Sequence, residues 1–159
     1  MKIINEDQIE NCAEVIGNLE AYETLLTSLS ETQPALVRYL YSESFQSFTV
    51  EEQQLFLFMA LVIWKTIDEK HDDIDELSEE EIAEAEERNW DILQAAGKGD
   101  FRERLTPFFE NSPQEDLLAF VEDSVVPDED NMVTEEGKEY LFISMKTIID
   151  AFAGVLEEE

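Results

Sequence analysis

The 159 residues of this chain combine enough apolar sequence for a buried core with an extreme excess of acid. Hydrophobic residues make up 43% of the chain, which excludes a disordered acidic tail, because such tails lack the apolar surface that offsets chain entropy. The 40 Asp and Glu against 10 Lys and Arg give a formal net charge of −30, and without a basic patch to neutralise phosphates no direct nucleic-acid binding is expected.

The first two predicted helices follow from apolar spacing and from a proline. Between about Asp7 and Ser30, apolar residues recur at alternating steps of three and four, which predicts one long helix with a single apolar stripe. The stripe consists of Cys12, Val15, Leu19, Tyr22, Leu26 and Leu29. Pro34 is suited to the first turn of a second, shorter helix, because that turn leaves its N–H groups unpaired in any case.

A capping box opens the helix on which the predicted fold depends most. Thr49 and Glu52 have the spacing in which a hydroxyl and a third-position carboxylate satisfy the first free backbone amides. The helix predicted from there covers about residues 50–69 and is apolar on every side between Leu55 and Trp64. We therefore expect this helix to be buried at the centre of a bundle.

Further capping signals predict the helices that follow. Ser78 and Glu81 form a second capping box, and the helix that they open ends at about Ala96, before two glycines. A short helix is expected around residues 101–105. The two glycines set this short helix apart from the one before it.

The last two helices begin at a proline and at a threonine. Ser112 with its following proline starts a helix that Pro127 ends, and residues 128–132 are expected to form a polar connector. Thr134 opens the final helix, and residues 157–159 are expected to fray. No segment alternates with a period of two beside hairpin turn residues, so no sheet is expected.

The predicted fold is therefore all-α: one acidic domain over residues 1–159, built as a bundle of six or seven helices around the buried central helix at about residues 50–69. The apolar stripes of the first and last helices resemble heptads. A structural homo-oligomer that pairs these stripes between chains is one alternative role for the protein.

The compartment expected from the sequence is the cytoplasm of a bacterial-type cell. Cys12 is the only cysteine, so the chain cannot form an internal disulfide. The first residues lack the long apolar stretch of a signal peptide. The longest apolar run, Leu55 to Trp64, is too short to cross a bilayer, so no membrane partner is expected.

The most informative segment runs from Asp68 to Asp91 and holds thirteen acids against two bases. On the helix that follows Ser78, Ile82, Ala85, Asn89, Ile92, Leu93 and Ala96 are predicted to face inward. Four acids step by four, three and four along the opposite side, and we call them the acidic row: Glu80, Glu84, Glu87 and Asp91. Neighbouring like charges at these steps destabilise a helix, so folding alone does not explain the row.

An extended row of carboxylates on a rigid helix is suited to a basic partner surface, since it accelerates association in a salt-sensitive way. The sequence thus predicts a non-catalytic acidic binding protein that engages a basic protein through the acidic row, of the kind that neutralises toxins or imitates DNA. A purely solvated helix face is the alternative interpretation of the same residues.

A divalent-metal-dependent helical hydrolase is the catalytic alternative, and only this alternative calls for a cofactor, Mg²⁺ or Mn²⁺. Asp72, Asp73 and Asp75 beside the single histidine could offer oxygen ligands, as could Glu20 and Glu23 on the first helix. Pairs of the form Glu-x-x-Glu occur about as often as chance predicts in so acidic a chain, so their number is no sign of a metal site. No catalytic residue is predicted.

The few basic residues include a group next to two glycines. Lys98, Arg102 and Arg104 lie within seven positions of one another. They lack the spacing of a phosphate loop. We expect them to pair with nearby carboxylates.

Overall fold

The computed structural model describes residues 1–126 and 133–156, and within these ranges the chain forms nine α-helices and no strand. The all-α prediction is confirmed. The helices are α1 (Glu6–Ile16), α2 (Leu19–Thr32), α3 (Pro34–Leu40), α4 (Glu43–Gln46), α5 (Val50–Lys70), α6 (Glu79–Ala95), α7 (Phe101–Glu110), α8 (Glu115–Val125) and α9 (Glu135–Val155). The connector expected at 128–132 and the frayed end at 157–159 lie outside the described residues.

The single long helix predicted from Asp7 to Ser30 is in fact two helices, α1 and α2. Gly17 ends α1, and Asn18 takes an extended conformation at ψ 126°. The Asn18 side chain then accepts a hydrogen bond from the Ala21 N–H at 3.1 Å and caps α2. This break, together with the single-turn α4, raises the number of helices above the six or seven expected.

The break also exposes part of the predicted apolar stripe. Cys12 and Leu29 are buried, but Val15 is 47% and Leu19 is 71% exposed. Both exposed residues lie next to the break, where α1 and α2 no longer share one helical phase. The stripe was correctly predicted at its two ends and wrongly predicted at its middle.

The helix expected at the centre, α5, is confirmed there. Its capping box forms as predicted, with Thr49 Oγ1 accepting from the Glu52 N–H and Glu52 Oε1 accepting from the Thr49 N–H. From Met59 to Trp64 every residue is buried. The helix packs against α1, α2, α8 and α9, so its apolar surface is covered from several directions.

A second helix, α9, is as deeply buried as α5. Every residue from Leu141 to Ile149 is buried, and α9 packs against α5, α6 and α8. Three of these buried residues are polar: Ser144, Lys146 and Thr147. The core is therefore built around two helices, α5 with an apolar middle and α9 with a polar strip. No helix in the described ranges has the length and apolar character needed to cross a membrane.

Two buried glutamines fix the segments that are not helical. Gln33 Nε2 donates to the Asp75 carbonyl at 3.0 Å, and Gln33 Oε1 accepts from the Leu77 N–H at 2.8 Å. Gln114 makes two corresponding contacts with the N-terminal segment. Its Oε1 accepts from the Ile4 N–H at 3.1 Å, and its Nε2 donates to the Lys2 carbonyl at 2.9 Å. Each amide side chain thus replaces the backbone partners that an extended segment lacks.

Candidate acidic interaction surface

The acidic row lies on α6, which begins where the sequence predicts. Ser78 Oγ accepts from the Glu81 N–H at 3.1 Å, and Glu81 Oε1 accepts from the Ser78 N–H at 3.1 Å. The inner face of α6 packs mainly against α9. Its buried residues are Ile82, Ala85, Asn89 and Leu93.

One residue that was predicted to face inward, Ile92, is exposed instead. Ile92 is 38% exposed, because it lies at the edge of the buried arc whose centre Asn89 occupies. Ala96 is half-buried and caps the end of the helix. The inward face is therefore narrower than the sequence pattern indicates.

All four side chains of the acidic row are exposed, and none of them has a hydrogen bond or ion pair with another described residue. Two other acids of α6 behave differently. Glu79 pairs with Arg38 Nε at 2.7 Å, and Glu86 accepts from the Tyr39 hydroxyl at 2.8 Å. The carboxylates next to α3 are thus neutralised or hydrogen-bonded, whereas the acidic row is left to solvent.

Buried polar contacts hold α6 in place beneath the acidic row. Asn89, 1% exposed, donates from Nδ2 to Thr147 Oγ1 at 3.3 Å and to Asp150 Oδ2 at 3.1 Å. Asp150 also accepts from Lys146 Nζ, with distances of 2.5 and 2.7 Å. Because a buried polar group is costly to leave unpaired, this network fixes α6 against α9 in one orientation.

The hydroxyl that binds Glu86 is itself buried. Burial raises the pKa of Tyr39 above its ordinary value, and the nearby Glu86 carboxylate raises it further. The phenol therefore stays protonated and remains a donor to Glu86 at neutral pH. This bond joins α3 to α6 on the side of α6 next to the acidic row.

An aromatic pair borders the acidic row. Trp90 lies three residues after Glu87 and is half-buried, and its ring meets that of Tyr140 edge-on with 4.9 Å between centroids. Tyr140 is 38% exposed. Aromatic side chains of this kind are common anchors in protein interfaces. The sequence carries no local sign of this pair, because its two members come from different helices.

One basic residue lies on the other border of the acidic row. Arg88 is exposed, four residues after Glu84 and three before Asp91, and it has no ion pair with the residues that the structure describes. It reduces the negative potential of the row locally. Arg88 therefore sets the limit of the surface on that side.

The metal candidates near the histidine do not converge. Asp72, Asp73 and Asp75 are exposed in the loop before α6. The His71 ring is buried instead: Nδ1 lies 3.1 Å from the Ile67 carbonyl and Nε2 accepts from the Lys2 N–H at 3.1 Å. A ring with its proton on Nδ1 satisfies both contacts.

The other metal candidates, Glu20 and Glu23, are exposed on α2, and Glu20 borders a groove. That groove, of about 500 Å³, lies along α1 and α2 and also contains Lys65, whose ammonium pairs with Glu69 at 2.7 Å. Across residues 1–126 and 133–156, no group of three or more His, Cys, Asp or Glu side chains is placed to hold a metal ion.

The basic group after α6 pairs with carboxylates, as expected for two of its three members. Arg104 Nη1 pairs with Glu139, and Arg102 Nη2 lies 3.7 Å from Glu122 Oε1. Lys98 is exposed and has no ion pair within the described ranges. Glu122 was not singled out by the sequence, where nothing distinguishes it from the other acids of its segment.

No family model, no characterised protein and no solved structure matches this chain.

Proposed function

We propose that this protein is a non-catalytic binding protein whose acidic row engages a basic protein partner. The observation that carries the proposal is the contrast within α6: its flanking acids Glu79 and Glu86 have partners on α3, whereas the four carboxylates of the row are exposed and unpaired among the described residues. A basic surface would supply the missing partners.

The acidic row and the aromatic pair beside it would act at two distances from a partner, the row before contact and the pair at contact. Charges on a partner are attracted over about 10 Å at 0.1 M salt, so the row would accelerate encounter and orient the approaching surface. At contact, the Trp90–Tyr140 pair beside the row offers aromatic area that excludes water. The expected partner therefore carries Lys or Arg side chains next to an apolar side chain.

The proposal is tested by capturing partners from host lysate with the tagged protein at low and moderate salt. The test variant changes all four residues of the row: Glu80→Gln, Glu84→Gln, Glu87→Gln and Asp91→Asn. The control variant removes the same number of charges from exposed acids of α1 and α2: Glu10→Gln, Glu14→Gln, Glu23→Gln and Glu31→Gln. Both variants share one net charge, so only the position of the charges differs.

A discrete basic protein that is held by the wild type and by the control variant, but lost by the row variant, is the expected result. Its retention should fall steeply with salt. If both variants lose the same proteins to the same extent, total charge rather than the row is responsible, and the proposal is wrong. Arg88→Gln gives a test in the opposite direction, because removing this cation should tighten binding.

A further inference from the structure

A pocket of about 260 Å³ lies between α7 and α8, and no residue of the acidic row lines it. Helix α7 contributes one face to it, and α8 contributes a single carboxylate, Glu122. The lining residues are Arg102, Thr106, Phe109, Glu110 and Glu122.

Glu122 is mostly buried, and its carboxylate lines the pocket. The residue is 7% exposed, and it has no hydrogen bond to any described residue. The nearest cation is Arg102 Nη2 at 3.7 Å, beyond hydrogen-bonding distance, on a side chain that is 85% exposed. The oxygens of Glu122 therefore have unused capacity to accept hydrogen bonds at the pocket.

A second buried carboxylate, Glu52, has the hydrogen bonds that Glu122 lacks. Glu52, 2% exposed, accepts from the Thr49 N–H, the Thr134 N–H and the Thr134 hydroxyl, all within 3.0 Å. The two sites also differ in their acidity. Burial raises the pKa of the Glu122 carboxyl against the opposing effect of Arg102, whereas the hydrogen bonds of Glu52 outweigh its burial and lower its pKa.

We propose that the α7–α8 pocket binds an organic cation, an alkylammonium or guanidinium group, whose N–H groups donate to Glu122. Such a group supplies the hydrogen-bond donors that Glu122 lacks, together with a positive charge. The Phe109 side chain provides an apolar wall for the alkyl chain or the guanidinium plane, and Glu110 adds negative charge at the exposed side.

The chemistry of the pocket favours an organic cation over a metal ion. A metal requires several converging ligands, and no such group exists within the described ranges. The guanidinium of Arg102 already pairs with Glu122 at 3.7 Å without a hydrogen bond, so the pocket admits this chemistry and the carboxylate can still accept hydrogen bonds. The proposal does not depend on the acidic row.

The test follows the carboxyl ¹³C resonance of Glu122 and the backbone amides of α7 and α8 by NMR at constant ionic strength. The probes are methylguanidinium and ethylammonium, with Mg²⁺ as the inorganic cation. Both organic cations should shift these resonances saturably, and Glu122→Gln should weaken their binding about tenfold or more. Glu115→Gln, which removes an exposed charge from the same helix, should leave the affinity unchanged.

A second variant tests the proposal with Glu122 intact. Arg102→Gln removes the internal guanidinium that competes for the pocket, so it should tighten binding of methylguanidinium. A blocked peptide containing one arginine then identifies the source of the cation: binding much tighter than that of methylguanidinium indicates a partner side chain, and equal binding indicates a free small cation. Both outcomes of the peptide experiment support the proposal only if Glu122→Gln weakens binding of the peptide as well.

Several results would overturn the proposal. Shifts that stay linear with probe concentration would show that no site is filled. Equal binding by the wild type and Glu122→Gln would remove the carboxylate from the interaction, and equal saturation by Mg²⁺ would show that the pocket does not select an organic cation. Weaker binding after Arg102→Gln would contradict competition. None of these outcomes bears on the acidic row.

Discussion

Substitution of Glu52 by Gln should destabilise the fold through the starts of two helices at once. Oε1 of Glu52 completes the capping box of α5, while Oε2 accepts from the N–H and the hydroxyl of Thr134, the residue that caps α9. Gln offers one acceptor end and one donor end. Its best orientation keeps the two bonds from Thr134 and places its NH₂ against the Thr49 N–H.

The magnitude follows from that loss. Hydrogen bonds to a charged acceptor contribute about 1.5–3 kcal/mol each, and Gln loses one of them and replaces two others with weaker neutral bonds. We expect Glu52→Gln to lower the free energy of unfolding by about 2–4 kcal/mol at neutral pH. Urea denaturation of the wild type and the variant, followed by circular dichroism, measures this difference.

The difference in unfolding free energy between the wild type and Glu52→Gln should also decrease as the pH falls. Burial alone would raise the pKa of Glu52, but hydrogen bonds from Thr49 and Thr134 lower it below its ordinary 4.5. A carboxylate with a lowered pKa stabilises the fold fully above 4.5, and this contribution is lost as the pH falls through the lowered pKa. The gap between wild type and Glu52→Gln should therefore be constant near neutrality and shrink in acid.

The reasoning is refuted if Glu52→Gln changes the free energy of unfolding by less than about 0.5 kcal/mol, a typical surface effect. A large difference that does not shrink in acid would also refute it, because the ionised form of Glu52 would then not be the stabilising species.

Three further predictions concern other parts of the chain. The row variant should be more stable than the wild type at low salt by a few tenths of a kcal/mol for each relieved neighbouring pair, and the gain should vanish near 1 M salt; urea midpoints at both salt concentrations test this. Gly137→Ala should destabilise the protein in a thermal melt, because its methyl group would collide with the Glu52 carboxylate. At Gly154 an added methyl group has no atom within 4 Å, so Gly154→Ala should raise the free energy of unfolding by about 0.5–1 kcal/mol. Equal changes in stability from the two glycine substitutions would contradict this prediction. Burial, aided by a nearby carboxylate, raises the pKa of Cys12 to about 11, so a thiol reagent at pH 8 should react slowly with the folded protein and rapidly in urea; rapid reaction without urea would contradict this.

Local signals in the sequence were sufficient to predict where α5 and α6 begin. Thr49 with Glu52, and Ser78 with Glu81, act within one turn, so their spacing alone specifies both bonds of each box. The break at Gly17 and Asn18 was missed because the apolar period continues across it. Periodicity reports which residues could share a face, but it does not report a change of helix direction.

The candidate sites depended more on contacts between distant segments. The exposure of the acidic row followed from helical spacing on α6. The Trp90–Tyr140 pair and the α7–α8 pocket could not be predicted, because each joins residues of two helices whose packing the sequence does not specify. The burial of Glu122 could not be predicted for the same reason, since an acid on a helix gives no local sign that another helix will cover it.

The glutamine contacts have a consequence for experiments in which ionic conditions vary. Gln33 holds the loop before α6, and Gln114 holds the N-terminal segment, through amides that carry no charge at any pH. Neither salt nor a change in pH weakens these contacts by screening or protonation. The loop that leads into the acidic row should thus keep its shape across a salt series, and a loss of binding along that series would report weakened attraction between charges.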